Sequence, residues 1–187
     1  MARTPSTMRA LGSPMPSFTL PDTEGGLFDS DRDMGEHGIL VIFMCNHCPF
    51  VIHLREVLAS LTAELMERGL TVVGISANDV ETYPQDGPEE MRRERREAGY
   101  LFPYLYDASQ EVARAFDAAC TPDFFLFDQN RTLVYRGQFD DSRPGLATPV
   151  TGDSLRGACE ALIKTGKVSD QIVQHPSLGC NIKWRSE

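Results

Sequence analysis

Residues 39–44, Ile-Leu-Val-Ile-Phe-Met, form an unbroken apolar run, and Cys45-Asn46-His47-Cys48-Pro49 follows it directly. No other feature constrains the fold as tightly. A continuous apolar run of strand length belongs in the middle of a sheet covered on both faces. Proline after the second cysteine suits the first turn of a helix, where a missing N–H costs nothing. The two thiols are therefore expected where a buried strand hands over to a helix, as a dithiol that can open and close.

The flanking pattern agrees. From residue 49 to 68, Phe50, Val51, Leu54, Val57, Leu58, Leu61 and Leu65 recur at helical spacing, and Gly69 is a natural stop. Residues 70–76 read as the next strand, so strand, helix and strand make a unit with parallel pairing and a right-handed crossover. Upstream, residues 18–28 read as a short hairpin around Asp22-Thr23-Glu24-Gly25-Gly26. Downstream come a turn-rich loop over 77–88, a charged helix over 89–98, a strand over 104–107 and a short helix over 110–118. Residues 124–128 and 132–137 form a second hairpin, and Asp153 caps a helix that Gly166 ends. The expected fold class is α/β, a central mixed sheet flanked by helices with an N-terminal hairpin extension. Residues 1–13 carry no periodicity and are expected to be flexible. Residues 14–165 form the one domain, and 166–187 form a tail packed on it.

With 187 residues, 41% of them hydrophobic, the chain suits a single well-packed domain. A net charge of −9 argues against nucleic acid or an anionic membrane as partner, since both are bound through Lys and Arg clusters. No apolar stretch approaches the roughly 20 residues of a membrane helix. The first residues carry Arg3 and Arg9 without an apolar core, so no secretory leader is expected. Five cysteines are too few, and odd in number, for a disulfide scaffold. The expected setting is the reducing cytoplasm, where a dithiol is catalytic, redox-sensing or metal-binding.

For catalysis the pair must close without strain and one sulfur must ionise. Residues three apart on a helical turn have Cβ atoms about 5–6 Å apart, and a disulfide needs roughly 3.5–4.5 Å, so a small adjustment suffices. Half-ionising a cysteine of ordinary pKa at pH 7 takes roughly 2 kcal/mol of preferential stabilisation of the anion. A helix N-terminus supplies about 0.3–1 kcal/mol, up to about 2 when partly buried. Cys45 is expected to be the more exposed sulfur and the attacking one, with Cys48 resolving the mixed disulfide. Asn46 and His47 would shape and tune the first turn. His47 would contribute charge if protonated, its bland alternative being a partly exposed polar residue.

With these residues in place, the chain resembles the thioredoxin superfamily, in particular the redoxin branch that includes the AhpC/TSA proteins and thiol–disulfide oxidoreductases. The markers are Phe18–Gly25, the strand with its dithiol at 39–49, and Cys120-Thr121-Pro122-Asp123 leading into Phe124–Asp128. The resemblance implies a cis peptide bond before Pro122 beside the dithiol, with Thr121 backbone groups pairing an extended substrate. It implies thiol–disulfide exchange with a disulfide-bearing protein or a low-molecular-weight thiol, electrons arriving from an upstream dithiol reductase. No organic cofactor and no metal are expected. Two features depart from thioredoxins themselves: Met44 precedes the first cysteine, and the proline follows the second rather than lying between them.

Cys120 and Cys180 are candidates for additional redox thiols. Cys120 also reads as a small buried residue. Cys180 reads either as a mobile resolving thiol or, preferably, as part of a tail anchored by Ile182 and Trp184; Cys159 reads as core. Two rivals to exchange stay open. One is a peroxiredoxin-like peroxidase in which peroxide oxidises Cys45, although no Thr-x-x-Cys pattern precedes that residue. The other is a metal-binding module built on Cys45, Cys48 and one or two of His47, His53, Cys120 and Cys180.

Overall fold

The computed structural model describes residues 3–185. Its elements run β1 (Arg3–Pro5), β2 (Thr19–Pro21), β3 (Leu27–Asp29), β4 (Ile39–Phe43), α1 (Pro49–Glu67) and β5 (Thr71–Ser76). A 3-10 turn (Pro84–Asp86) then leads into α2 (Pro88–Ala98), β6 (Tyr104–Tyr106) and α3 (Glu111–Ala115). The chain finishes with β7 (Cys120–Thr121), β8 (Asp123–Phe127), β9 (Leu133–Gly137), α4 (Asp153–Thr165) and β10 (Leu178–Asn181).

The main sheet has the order β6-β5-β4-β8-β9. β4 pairs in parallel with β5 and antiparallel with β8, so the sheet is mixed and β4 lies at its centre. All five β4 residues are buried. Leu40 and Ile42 face one core with α1 and α4, where Leu58, Leu61, Leu155 and Leu162 pack. Ile39, Val41 and Phe43 face a second core with Phe116, Phe125 and Phe127. That two-sided burial is why the run lacks the alternation of a half-exposed strand. The β2–β3 hairpin forms with Leu20 opposite Phe28.

Gly38 sets the entry to β4. Its φ is +98°, and a Cβ there would lie 2.1 Å from the Phe127 carbonyl oxygen. Only glycine accepts both constraints.

Three local departures from the sequence reading matter. Arg3–Pro5, expected to lie in a segment without structure, is a strand paired with β10, whose other edge pairs with β7. The last helix starts at Asp153, as its first helical residue, with Gly152 in the left-handed region as cap. Finally, α1 begins at Pro49 with Cys48 as its N-cap, so Cys45 lies outside the first helical turn rather than on it.

Candidate active site

The strand-to-helix corner after β4 packs against the Thr121–Pro122 peptide, which is cis. The Cys45 Sγ lies 3.4 Å from the Thr121 Oγ1. The Cys48 thiol donates to the Thr121 carbonyl at 3.0 Å. Thr121 thus touches both sulfurs from the opposite side of the corner, with Pro122 next to it. None of the five cysteines is in a disulfide.

Asp86 organises the turn between the thiols. Fully buried at the end of the 3-10 turn, its carboxylate accepts four hydrogen bonds. One oxygen takes the amides of Asn46 (2.9 Å) and His47 (3.3 Å). The other takes His47 Nδ1 (2.6 Å) and Asn78 Nδ2 (2.8 Å). Nδ1 must carry hydrogen to bond a carboxylate, which fixes the tautomer of a neutral ring. The His47 ring also stacks on Tyr83, centroids 5.4 Å apart and planes within 4°. Asn46 is held by its side chain, donating to the Gln85 carbonyl at 2.8 Å and accepting from the Tyr104 hydroxyl at 3.1 Å.

The ionisation pattern reverses the expected one. Cys48 is drawn down to about 5, chiefly because the Cys45 thiol donates to it, against the cost of burial. Contacts from Thr121 and Cys180 and the Val51 amide of the first turn of α1 add to the effect. Cys45 moves the other way, well above the ordinary thiol range, because its proton is held in that hydrogen bond, it is buried, and it faces the Asp86 carboxylate. Within the pair, ionisation is therefore favoured at Cys48 over Cys45.

Cys45 is also not the exposed sulfur of the sequence reading. Its relative exposure is 1% and that of Cys48 is 0%. The cover is β10, which lies along β7 with Cys180 opposite Thr121. Cys180 and Cys48 belong to the same buried cluster. Cys120 turns its thiol towards the Pro122 carbonyl at 3.7 Å, and burial keeps it protonated. Cys159 is in the core with α4, its thiol likewise pushed up by burial.

Cys45, His47 and Asp86 present ligand atoms within 4.8 Å of one another, the one such cluster among the described residues. His53, included in the metal rival, lies elsewhere, bonded to the Ser142 hydroxyl at 3.1 Å. A cleft opens beside Pro122, lined by Phe50, Leu54, Phe139 and Leu178 together with the polar His53 and Asp140. Asp86 was missed from sequence. Within Pro84-Gln85-Asp86-Gly87-Pro88 it has the composition of an ordinary turn former.

The family model of AhpC/TSA matches residues 11–136. The chain belongs to the AhpC/TSA family. As an AhpC/TSA protein it has a thiol redox function and is an oxidoreductase of thioredoxin type. It is similar in structure to an uncharacterized conserved protein from Geobacillus kaustophilus, with 45% identity and a TM-score of 0.96 over 100% of this chain and 98% of that one. A hypothetical protein from Sinorhizobium meliloti 1021 is 47% identical, with a TM-score of 0.94 over 98% of this chain and 100% of that one. A secreted Mycobacterium tuberculosis disulfide oxidoreductase homologous to E. coli DsbE shares the fold, at 20% identity and a TM-score of 0.57 over 77% of this chain and 95% of that one. No curated protein matches the chain.

Proposed function

We propose that the protein exchanges a Cys45–Cys48 dithiol with the disulfide of a protein or low-molecular-weight thiol, needing neither metal nor organic cofactor. The observation that carries this reading is that both sulfurs meet Thr121 at the strand-to-helix corner, Cys45 Sγ 3.4 Å from its hydroxyl and Cys48 Sγ 3.0 Å from its carbonyl. Attack then falls to Cys48, the sulfur at which ionisation is favoured, and resolution to Cys45. This inverts the order expected from sequence.

The steps balance as ordinary exchange. The Cys48 thiolate attacks one sulfur of the partner disulfide, forming a mixed disulfide and expelling a partner thiolate. Cys45 then attacks Cys48, closing Cys45–Cys48 and releasing the second partner thiol, so two electrons pass from the dithiol to the partner. An upstream dithiol restores the reduced pair, in a reducing compartment such as the cytoplasm. Asp86 holds Asn46 and His47 so that the turn between the sulfurs keeps its shape through the cycle.

Turnover of glutathione disulfide and of a cysteine-bearing peptide disulfide, with a regenerating dithiol, tests this reading. Cys48→Ser should abolish exchange, and the double variant Cys45→Ser/Cys180→Ser should stop at the mixed disulfide. Turnover of peroxide with no disulfide exchange would overturn the reading in favour of a peroxidase.

A further inference from the structure

We propose that β10 is a built-in substrate mimic: it pairs along Thr121 with Cys180 against Cys48, closes the exchange edge, and supplies Cys48 with an internal disulfide partner. The proposal rests on the exchange reading above and extends it to a third sulfur and to the kind of segment the edge accepts.

The edge presented by Thr121 is already taken. Cys180 is the residue opposite Thr121, and Asn181 is opposite Cys120. A strand added at an open edge draws its affinity from backbone hydrogen bonds and its specificity from the side chains. Here the adding strand belongs to the same chain and carries a cysteine opposite Thr121, whose carbonyl lies 3.0 Å from the Cys48 sulfur. It is the geometry an incoming cysteine-bearing segment would need.

Gly179 defines how closely that strand sits. A Cβ at this position would lie 2.0 Å from the Thr121 carbonyl oxygen and 2.6 Å from its carbon. The neighbour is backbone, which cannot swing aside. A strand in this register must therefore have glycine immediately before its cysteine. The substrate class follows: an extended segment carrying Gly-Cys, the pair that β10 itself presents.

The tail also reaches the turn between the thiols. Asn78 donates to the Asp86 carboxylate and accepts the Lys183 amide at 2.9 Å. Lys183 Nζ stands 5.7 Å from the Tyr83 ring, which stacks on His47. β1 braces the outer edge of β10, with Arg3 opposite Cys180 and Thr4 opposite Gly179. Lys183, two residues beyond β10, is thus tied to Asp86 through Asn78.

The internal step conserves electrons. Starting from the Cys45–Cys48 disulfide, Cys180 attacks the Cys48 sulfur, the Cys45–Cys48 bond breaks, and a Cys48–Cys180 bond forms. The proton leaves Cys180 and ends on Cys45. Burial and the adjacent Cys48 anion push the Cys180 thiol up to about 12 in the reduced protein. The second cause disappears once Cys48 is in a disulfide.

The test uses full-length Cys45→Ser treated with an aromatic disulfide reagent and digested for mass-resolved peptide mapping. Cys48 attacks the reagent, and Cys180 displaces the second aromatic thiol, so two thiols are released per chain and a linked Cys48–Cys180 peptide appears. A persistent mixed disulfide on Cys48 overturns the proposal, as does a Cys48 that stays unmodified even when Gly179→Ala displaces β10. This failure is distinct from failure of the exchange reading, which is read separately as the inability of the wild-type chain to close Cys45–Cys48. A second variant, Gly179→Ala, should displace β10 and speed alkylation of Cys48 at least tenfold, with the core thiol of Cys159 still unreactive as the internal control for global unfolding. No acceleration would contradict the covering role. Peptide disulfides carrying Gly-Cys should be reduced at least tenfold faster than those carrying Leu-Cys, and equal rates would remove the specificity claim.

Discussion

Cys45 and Cys48 differ by three positions in sequence and by opposite electrostatics in the fold. One donates, faces a carboxylate and keeps its proton; the other collects donors and gives its proton up. Replacing Cys45 with alanine removes the largest cause of the lowered Cys48 pKa. The apparent pKa of Cys48, followed by ultraviolet thiolate absorbance, should then rise by roughly one unit or more. An unchanged value would mean that the helix amides alone hold the anion. The identity of the two thiols was legible from the sequence, because spacing and the apolar run sufficed. Their roles were not, since these depend on Asp86, 38 positions beyond Cys48, and on which residue receives the free amides.

At the scale of elements, the parts that were legible are those whose own residues explain them. α1 carries its apolar stripe, and β4 its two-sided burial. β1, β7 and β10 were not legible because nothing in Leu178-Gly179-Cys180-Asn181 alternates or favours a strand. That strand exists because Thr121 and Arg3–Pro5 offer it an edge on each side. The tail anchors expected from sequence are Ile182, which is buried in the second core, and Trp184, over which Arg114 lies at 4.5 Å. Glycines mark the close approaches instead. Gly38→Ala should destabilise the fold by at least about 2 kcal/mol, because a methyl group would meet the Phe127 carbonyl in a backbone region costly for L-residues. Urea unfolding measures this, and a loss within 0.5 kcal/mol, roughly the scatter of a surface change, would contradict it.

Across the whole molecule, the second core contains a carboxyl that the redox chemistry does not use. Asp123 is fully buried, and burial pushes its pKa up to about 7 against the weaker lowering by nearby donors. A raised carboxyl pKa means the folded state binds the proton more tightly than the unfolded chain. Its stabilising contribution is complete below the ordinary carboxyl range and is lost as pH rises through about 7. Asp123→Asn should flatten that dependence. The difference between wild-type and variant stability curves, in which the other groups cancel, should move by on the order of 3 kcal/mol in favour of the variant between pH 4 and pH 8. Parallel curves would mean that Asp123 is not protonated in the folded state.

The account as a whole turns on the dithiol closing as one two-electron couple. Equilibration of the wild-type protein in glutathione buffers from about −300 to −120 mV, followed by mass-resolved alkylation, measures this most directly. Cys45 and Cys48 should lose their alkylation together along a single two-electron curve, with a linked Cys45–Cys48 peptide at the oxidised end. Both sulfurs staying alkylatable throughout, or oxidising without a bond between them, would contradict it.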